Sequence, residues 1–315
     1  MKVPNPVIAA IDIGTNSFHL LIAKINNKNK IQSIYKARNI MRLGTELGGK
    51  IKKISKNEIK LSIKILLKYK KIAEKYNAEI FAIGTSAIRE VNNRNQYIKK
   101  VEKETGINIK VISGKKEAEY IYKGIEKVIS IKNKKVLCID IGGGSTEILY
   151  VKKGKTIFST SIKVGAVRMT NSFFPDDNLN IRSIIECDKF VEKQIKNKRG
   201  INFNPDYEIV VGSSGTIHAA ASMIYYNRFN KPLKKPNGYS FTRKEFDKMF
   251  EKVMDKRTPI ERLGIKGLQT KRADIIPAGL IILSVIFDLF KIKRIILSEN
   301  DLRAGIVSEA TKTNR

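Results

Sequence analysis

Residues 136–149, VLCIDIGGGSTEIL, read as a strand, a glycine turn and a second strand. Asp140 precedes the turn, Gly142, Gly143 and Gly144 make it, Ser145 leaves it, and Glu147 follows two residues on. Glycines allow positive φ and close approach of a ligand to the backbone. Successive N–H groups in such a turn converge on an anion. A bare phosphate would meet two carboxylates there. A hard divalent cation held by Asp140 and Glu147 removes that conflict, and oxygen donors suit Mg²⁺. An ordinary tight hairpin with acidic flanks would look the same. Residues 8–22, IAAIDIGTNSFHLLI, repeat the pattern, with Asp12, Gly14, Thr15, Asn16 and Ser17 standing 128 residues before their counterparts from Asp140 on. Repetition at domain-sized spacing predicts two related domains, each offering a phosphate loop.

A third loop, Gly212-Ser213-Ser214-Gly215-Thr216, follows a strand and opens a helix. Ser213, Ser214 and Gly215 there suit an anion at a helix N-terminus, or simply serine caps. Arg89 falls in the first turn of a helix opening after Thr85 and Ser86, where a cation opposes the helix dipole. A bound phosphate would account for it, as would pairing with Glu90 or another carboxylate. Arg42 and Arg303 are weaker candidates of the same kind. In the helix after Gly114, Ala118, Ile121, Tyr122, Ile125 and Ile129 form a buried stripe. Glu119 groups with Lys123 and Glu126 towards solvent, whereas Glu117 groups with Ile121 and Gly124 at an apolar edge. A carboxylate so placed can act as a base towards water, and an acidic first turn is equally what the helix dipole favours. His19 and His218 read as satisfied core or edge histidines. No His/Cys cluster has zinc spacing, and there is neither a P-loop nor a GxGxxG.

The elements that must position these residues alternate. Strands are expected at 7–13, 17–25, 31–42, 80–83 and 107–112, with helices at 57–76, after residue 85, at 95–104 and at 115–129. A second series follows: strands at 136–138, 147–151, 155–162, 207–211 and 294–297, and helices at 184–195, 217–224, 244–253, 278–290 and from about 302. Residues 228–240, RFNKPLKKPNGYS, have no periodicity and many cations, and read as a mobile basic surface loop. The chain has 315 residues, enough for about two domains. Its 61 Lys and Arg against 30 Asp and Glu give a net charge of +31, which favours polyanionic partners. The lysines accompany many Ile and Asn, so the charge also fits a general compositional bias. No signal peptide is expected ahead of the first strand, since the apolar run 7–11 ends at Asp12. The run 275–287 is too short to span a bilayer and reads as a buried helix. Two cysteines, Cys138 and Cys187, make a disulfide framework improbable and point to the cytoplasm.

Five stretches, IDIGTNSFHLLIA, IGTSAIREVNN, ISGKKEAEYIYKG, CIDIGGGSTEIL and VVGSSGTIHAAA, resemble the exopolyphosphatase / guanosine pentaphosphate phosphohydrolase (Ppx/GppA) family of the actin-like superfamily. SENDLRAGI resembles the family's closing segment, with Asp301 where a small residue is usual. The C-terminal helical domain of longer members has no counterpart, which weakens the expectation of a processive grip on long polymers. The resemblance implies an α/β fold with two actin-like (ribonuclease H-like) domains flanking a central cleft. These would be residues 1–125 and 126–301, the closing helix of about 302–315 packing back on the first. It implies a hydrolase releasing terminal orthophosphate from polyphosphate, or the 5′-phosphate from guanosine pentaphosphate. Glu117 would be the catalytic base and Arg89 the phosphate-neutralising arginine. Asp12 and the residues of the three loops would bind phosphate, and Asp140 and Glu147 would hold Mg²⁺. A sugar or acetate kinase would need an acceptor pocket and an adenosine slot. A non-catalytic polyphosphate or RNA binder would use the charge alone, and the Glu117, Asp140 and Glu147 set argues against it. Nucleic acid is expected to bind only non-specifically, no membrane is expected as a partner, and a homodimer stays open.

Overall fold

The computed structural model describes residues 6–26, 30–44, 52–203 and 206–313. They divide into two compact units, one holding the residues up to Val128 and those from Asn300 on, the other Ile129–Glu299.

The first unit opens with three antiparallel strands, β1 (Ile8–Ile13), β2 (Ser17–Ile25) and β3 (Ile31–Ile40). Helix α1 (Lys56–Lys75) crosses to β4 (Glu79–Gly84), which pairs in parallel with β1. Then come α2 (Ser86–Glu90), α3 (Arg94–Thr105), β5 (Ile109–Val111) and α4 (Gly114–Ile125). The sheet order is β3-β2-β1-β4-β5, that of a ribonuclease H-like domain. Strand alternation puts Ala9, Ile11 and Ile13 on one face. There they join Leu20 and Ile22 of β2 and Ile63, Leu66, Tyr69, Tyr97 and Val101 of α1 and α3 in one core. Ser55 starts α1 with a complete capping box to Glu58.

The second unit repeats the path. Strands β6 (Lys135–Ile141), β7 (Thr146–Lys152) and β8 (Lys155–Ile162) form the antiparallel meander. They are followed by α5 (Ala166–Phe173), α6 (Ile181–Lys196), β9 (Ile209–Ser213) and α7 (Ser214–Phe229). Next are β10 (Ser240–Thr242), α8 (Arg243–Met254), α9 (Pro259–Arg262), a 3₁₀ turn at Thr270–Arg272, α10 (Ile276–Leu289) and β11 (Arg294–Leu297). The order β10-β11-β9-β6-β7-β8 matches the first sheet with one added edge strand. The apolar run near residue 280 is α10, buried on nearly all sides, so it shows no amphipathic period. No helix among the described residues is long and apolar enough to cross a membrane. Finally α11 (Leu302–Thr313) returns to the first unit and packs on α4, β1 and β2.

Sequence periodicity missed α5, α9 and β10, all short. The helix expected to begin at residue 217 starts three residues earlier, at Ser214, and runs on through Arg228, so the basic loop is shorter than 228–240. The helix expected to reach residue 129 ends at Ile125.

Candidate active site

In the second unit, β6 and β7 close on the pair Ile141 and Thr146 and leave Gly142–Ser145 as the turn. Asp140 lies directly opposite Glu147 on β7 and opposite Ser213 on β9, and Glu147 lies opposite Ser161 on β8. Ser213, Asp140, Glu147 and Ser161 therefore form one row across four strands. Ser213 Oγ donates to Asp140 Oδ2 at 2.5 Å. Glu147 Oε1 accepts from Ser145 Oγ at 2.8 Å and Ser161 Oγ at 2.7 Å. Both carboxylates are buried. Like charges directly opposite in a sheet are destabilising, and hydroxyl donors orient them without neutralising them.

The glycine turn is held from behind. The carbonyls of Gly142, Gly143 and Gly144 accept from Ala166 N (2.9 Å), Arg168 N (3.0 Å) and Arg168 Nε (2.8 Å). In a trans peptide C=O and N–H point opposite ways. With these three carbonyls turned to α5, the N–H groups of Gly143, Gly144 and Ser145 face away from it, the arrangement of an anion nest. Positive φ is not the reason for the glycines: none of Gly14, Gly142, Gly143 and Gly144 adopts it. A Cβ on Gly14 or on Gly142 would fall 3.1 Å from the Ser17 or the Ser145 carbonyl oxygen across its own turn, and one on Gly165 of the neighbouring segment would fall 2.5 Å from the Gly143 carbonyl carbon and oxygen. Arg168, buried beneath the turn, carried no motif that would have singled it out.

The serines of the third loop do not cap α7. Ser213 is committed to Asp140, and Ser214, at φ +71°, donates to Ile141 O at 2.6 Å, tying this loop to the glycine turn. Gly215 makes room for an arginine: a Cβ there would lie 1.5 Å from Arg272 Nη2. Arg272 sits in an aperiodic segment and was also missed. His218 Nε2 lies 3.1 Å from Ser298 O.

The first unit uses the same device. Its hairpin closes on Ile13 and Phe18, leaving Gly14–Ser17. Asn16 O accepts from Met41 N (2.9 Å) and Arg42 N (3.1 Å), and Thr15 O from Leu43 N (2.8 Å). The N–H groups of Asn16 and Ser17 are turned the other way. Arg42 thus contributes its backbone, at φ 51°, while its side chain is exposed. The equivalent row runs Asp12, His19, Arg38. Ser17 Oγ lies 2.8 Å from His19 Nε2 and accepts from Arg38 Nε at 3.2 Å. His19 occupies the place of Glu147 and Arg38 that of Ser161, so this row mixes charges where the other doubles them.

Glu117 lies in the first turn of α4, whose cap Ser113 accepts from Lys116 N. It is buried, but not at an apolar edge alone: its Oε2 accepts from Arg89 Nη1 at 3.1 Å. Arg89 Nη1 also donates to Ile112 O at 2.9 Å. Arg89 does not oppose a helix dipole, because α2 has only five residues and Arg89 is in its last turn, where a cation is favoured. Nor does Thr85 cap that helix; its hydroxyl donates to Ile13 O at 3.4 Å. Glu90 accepts from Ser86 Oγ instead. Arg303 forks onto Asp301, with Nε 3.0 Å from Oδ1 and Nη2 2.6 Å from Oδ2. Burial would raise the Asp301 carboxyl, but Arg303, with His19 adding, outweighs it and holds it below its ordinary value.

Among the described residues no group of three or more His, Cys, Asp or Glu side chains is placed to hold a metal. A two-carboxylate site still fits Mg²⁺, which keeps several waters and takes its remaining ligands from substrate phosphates. The Ppx/GppA phosphatase family profile matches residues 21–314. The chain belongs to the Ppx/GppA phosphatase family. A bifunctional 3-dehydroquinate synthase/phosphatase of Fusobacterium nucleatum is 34% identical over 96% of this chain and 46% of its own length. A provisionally named exopolyphosphatase of Haemophilus influenzae is 29% identical over 97% and 91%. A guanosine-5′-triphosphate,3′-diphosphate pyrophosphatase of Vibrio parahaemolyticus is 28% identical over 97% and 59%. The chain thus spans about half the length of the first of these relatives. Crystal structures of the Aquifex aeolicus Ppx/GppA member (28% identity, TM-score 0.81, 99% of this chain and 100% of that one) and of a Cytophaga hutchinsonii exopolyphosphatase (26%, 0.84, 98% and 98%) share the fold.

Proposed function

We propose that this Ppx/GppA phosphatase releases terminal orthophosphate from inorganic polyphosphate by Mg²⁺-assisted attack of water. The observation that carries the reading is the Asp140–Glu147 pair beside a backbone nest, two carboxylates fixed by hydroxyls in a place built for an anion. That combination calls for a cation and a phosphate together. Asp140 and Glu147 would hold the Mg²⁺, which offsets the charge developing on the transferred phosphoryl group. The N–H groups of Gly143–Ser145, and of Asn16 and Ser17 in the first unit, would bind phosphate oxygens. Glu117 would orient and deprotonate the water. Arg89, 3.1 Å from Glu117, would steady that carboxylate and offer its remaining N–H groups to a non-bridging oxygen. Asp12 would support the first loop from below. The buried thiols Cys138 and Cys187 suit a reducing compartment, and burial pushes the Cys187 thiol up to about 12.

The Vibrio relative's name supports a second reading, hydrolysis of guanosine pentaphosphate on the same groups. Phosphate release from long-chain polyphosphate, triphosphate and guanosine pentaphosphate, measured side by side with Mg²⁺, separates the two. Turnover of the polymers at least as fast as of the nucleotide supports the first, nucleotide preference the second, and no release from any of them removes both.

A further inference from the structure

The second unit contains a cavity of about 930 Å³ that none of the phosphate loops touches. It lies between the C-terminal half of α7, α8, and the segment around Ile265. From Ser214, where α7 begins, to Arg228 is a rise of about 20 Å at ~1.5 Å per residue. The cavity is therefore at the opposite end of the helix from the third loop.

Its lining is of two kinds. Met223, Ile224 and Met249 are buried and, with half-buried Ile265, give it an apolar floor. Its rim carries five cations, Arg228, Lys248, Lys252, Lys256 and Lys266, against two carboxylates, Glu245 and Asp255. Glu245 is already engaged, capping α8 through Thr242 and lying 3.5 Å from Arg228. Lys252 donates to Asn227 Oδ1 at 2.8 Å. Among the described residues no carboxylate pairs with Lys248, Lys256 or Lys266. Tyr226 adds a half-buried ring to the wall.

We infer that this cavity is a binding site for a purine nucleotide, separate from the phosphoanhydride site. The apolar surface that Met223, Ile224, Met249 and Ile265 leave at the floor is small, which suits a flat base better than an acyl chain. The volume is at the upper end of the small-molecule range. The excess of cations suits a phosphate tail, which Lys and Arg bind as charge-assisted donors. Tyr226 can stack on a base, and Asn227 and Asp255 supply the polar groups that a base edge or ribose hydroxyl requires. Inorganic polyphosphate would use the rim alone, whereas a base would also contact the small apolar surface at the floor, and that contact is what separates the two ligands.

The chain has six methionines and no tryptophan. Methyl-¹³C-methionine labelling therefore gives a short spectrum in which Met223 and Met249, identified through Met223→Leu and Met249→Leu, report on the floor. The probes are ATP, GTP and inorganic triphosphate, titrated without divalent cation. The expected result is a saturable shift of the Met223 and Met249 methyls with at least one of the nucleotides and not with triphosphate. Lys252→Glu combined with Lys256→Glu should weaken that binding about tenfold or more, while the other methionine signals stay in place and show the chain folded. Absence of a shift with both nucleotides, an equal shift with triphosphate, or indifference to the charge reversal would each overturn the inference.

Discussion

Glu117 and Arg89 meet although the residues that bear them are 28 positions apart. Glu117→Gln keeps the shape and the hydrogen bond from Arg89 but cannot take a proton. It should lower kcat for triphosphate by at least ~10²-fold, the usual scale for a general base, with little change in KM. Activity near that of the parent in a folded variant would remove Glu117 from the role. Asp301 is a different kind of residue. It accepts from Arg303 N at 3.0 Å as the cap of α11 and grips the Arg303 side chain at the same time. Asp301→Asn keeps a good cap and removes the charge, so the loss is that of the ion pair, about 1.5–3 kcal/mol for hydrogen bonds to a charged group. The carboxyl is held low in the folded chain. Its contribution is therefore complete above the ordinary Asp value of ~3.9 and is lost as pH falls through the lower folded value. The difference in Tm between parent and variant should be full at pH 7 and shrink towards pH 3. A difference that does not change with pH would mean that the pair is not what stabilises.

Strand register makes the sites. Because Asp140 opposes Glu147 and each is fixed by a serine on its outer neighbouring strand, both carboxylates are held in one row on the same face of the sheet. Asp140→Asn and Glu147→Gln should each raise the Mg²⁺ concentration needed for half-maximal activity several-fold, since an amide is a poorer ligand for a hard cation. Unchanged Mg²⁺ titrations in both variants would place the cation elsewhere. Helix contacts matter as much. A Cβ on Gly305 of α11 would lie 1.9 Å from Tyr120 O of α4, and one on Gly124 of α4 would lie 2.4 Å from Asp301 O. The two helices can approach only because both positions lack side chains, and α4 carries Glu117. Gly305→Ala should cost about 1–3 kcal/mol, the range for overpacking, read as a lower urea midpoint with unchanged slope. A midpoint equal to the parent's would show that the contact relaxes freely. These observations also mark what was legible in the sequence. The hairpins were, because a DIG turn between two apolar runs specifies local structure and repeats. Glu117 stood out because its face of α4 is otherwise apolar. The partners of these residues did not, since Arg168, Arg272 and Arg38 reach the loops from elements distant in sequence and leave no periodic trace. Arg89 was noticed for a reason that the five-residue length of α2 removes.

A chain with a net charge of +31 would attract polyanions whether or not it turned them over. Such binding falls steeply with salt, because it is driven by release of counterions. Under the proposed function, catalysis at a terminal phosphate would have narrower demands: fixed N–H donors, a cation and Arg89. The two contributions separate by substrate length. Lys231, Lys234 and Lys235 are exposed in the irregular segment after α7, a segment a long chain can reach and triphosphate cannot occupy while it reacts. Replacing the three by Gln should lower kcat/KM for long polyphosphate at low salt by a few-fold, flatten its salt dependence, and leave triphosphate hydrolysis within error of the parent. Arg89→Ala should impair both substrates at every salt concentration, by about 10²-fold if the guanidinium contacts the reacting phosphoryl group as an oxyanion donor would. The measurement is kcat/KM for the two substrates at low and moderate salt in both variants. Equal loss of both substrates in the triple Gln variant would place those lysines in the reaction itself. No loss in Arg89→Ala would leave Arg89 as no more than the partner that holds Glu117.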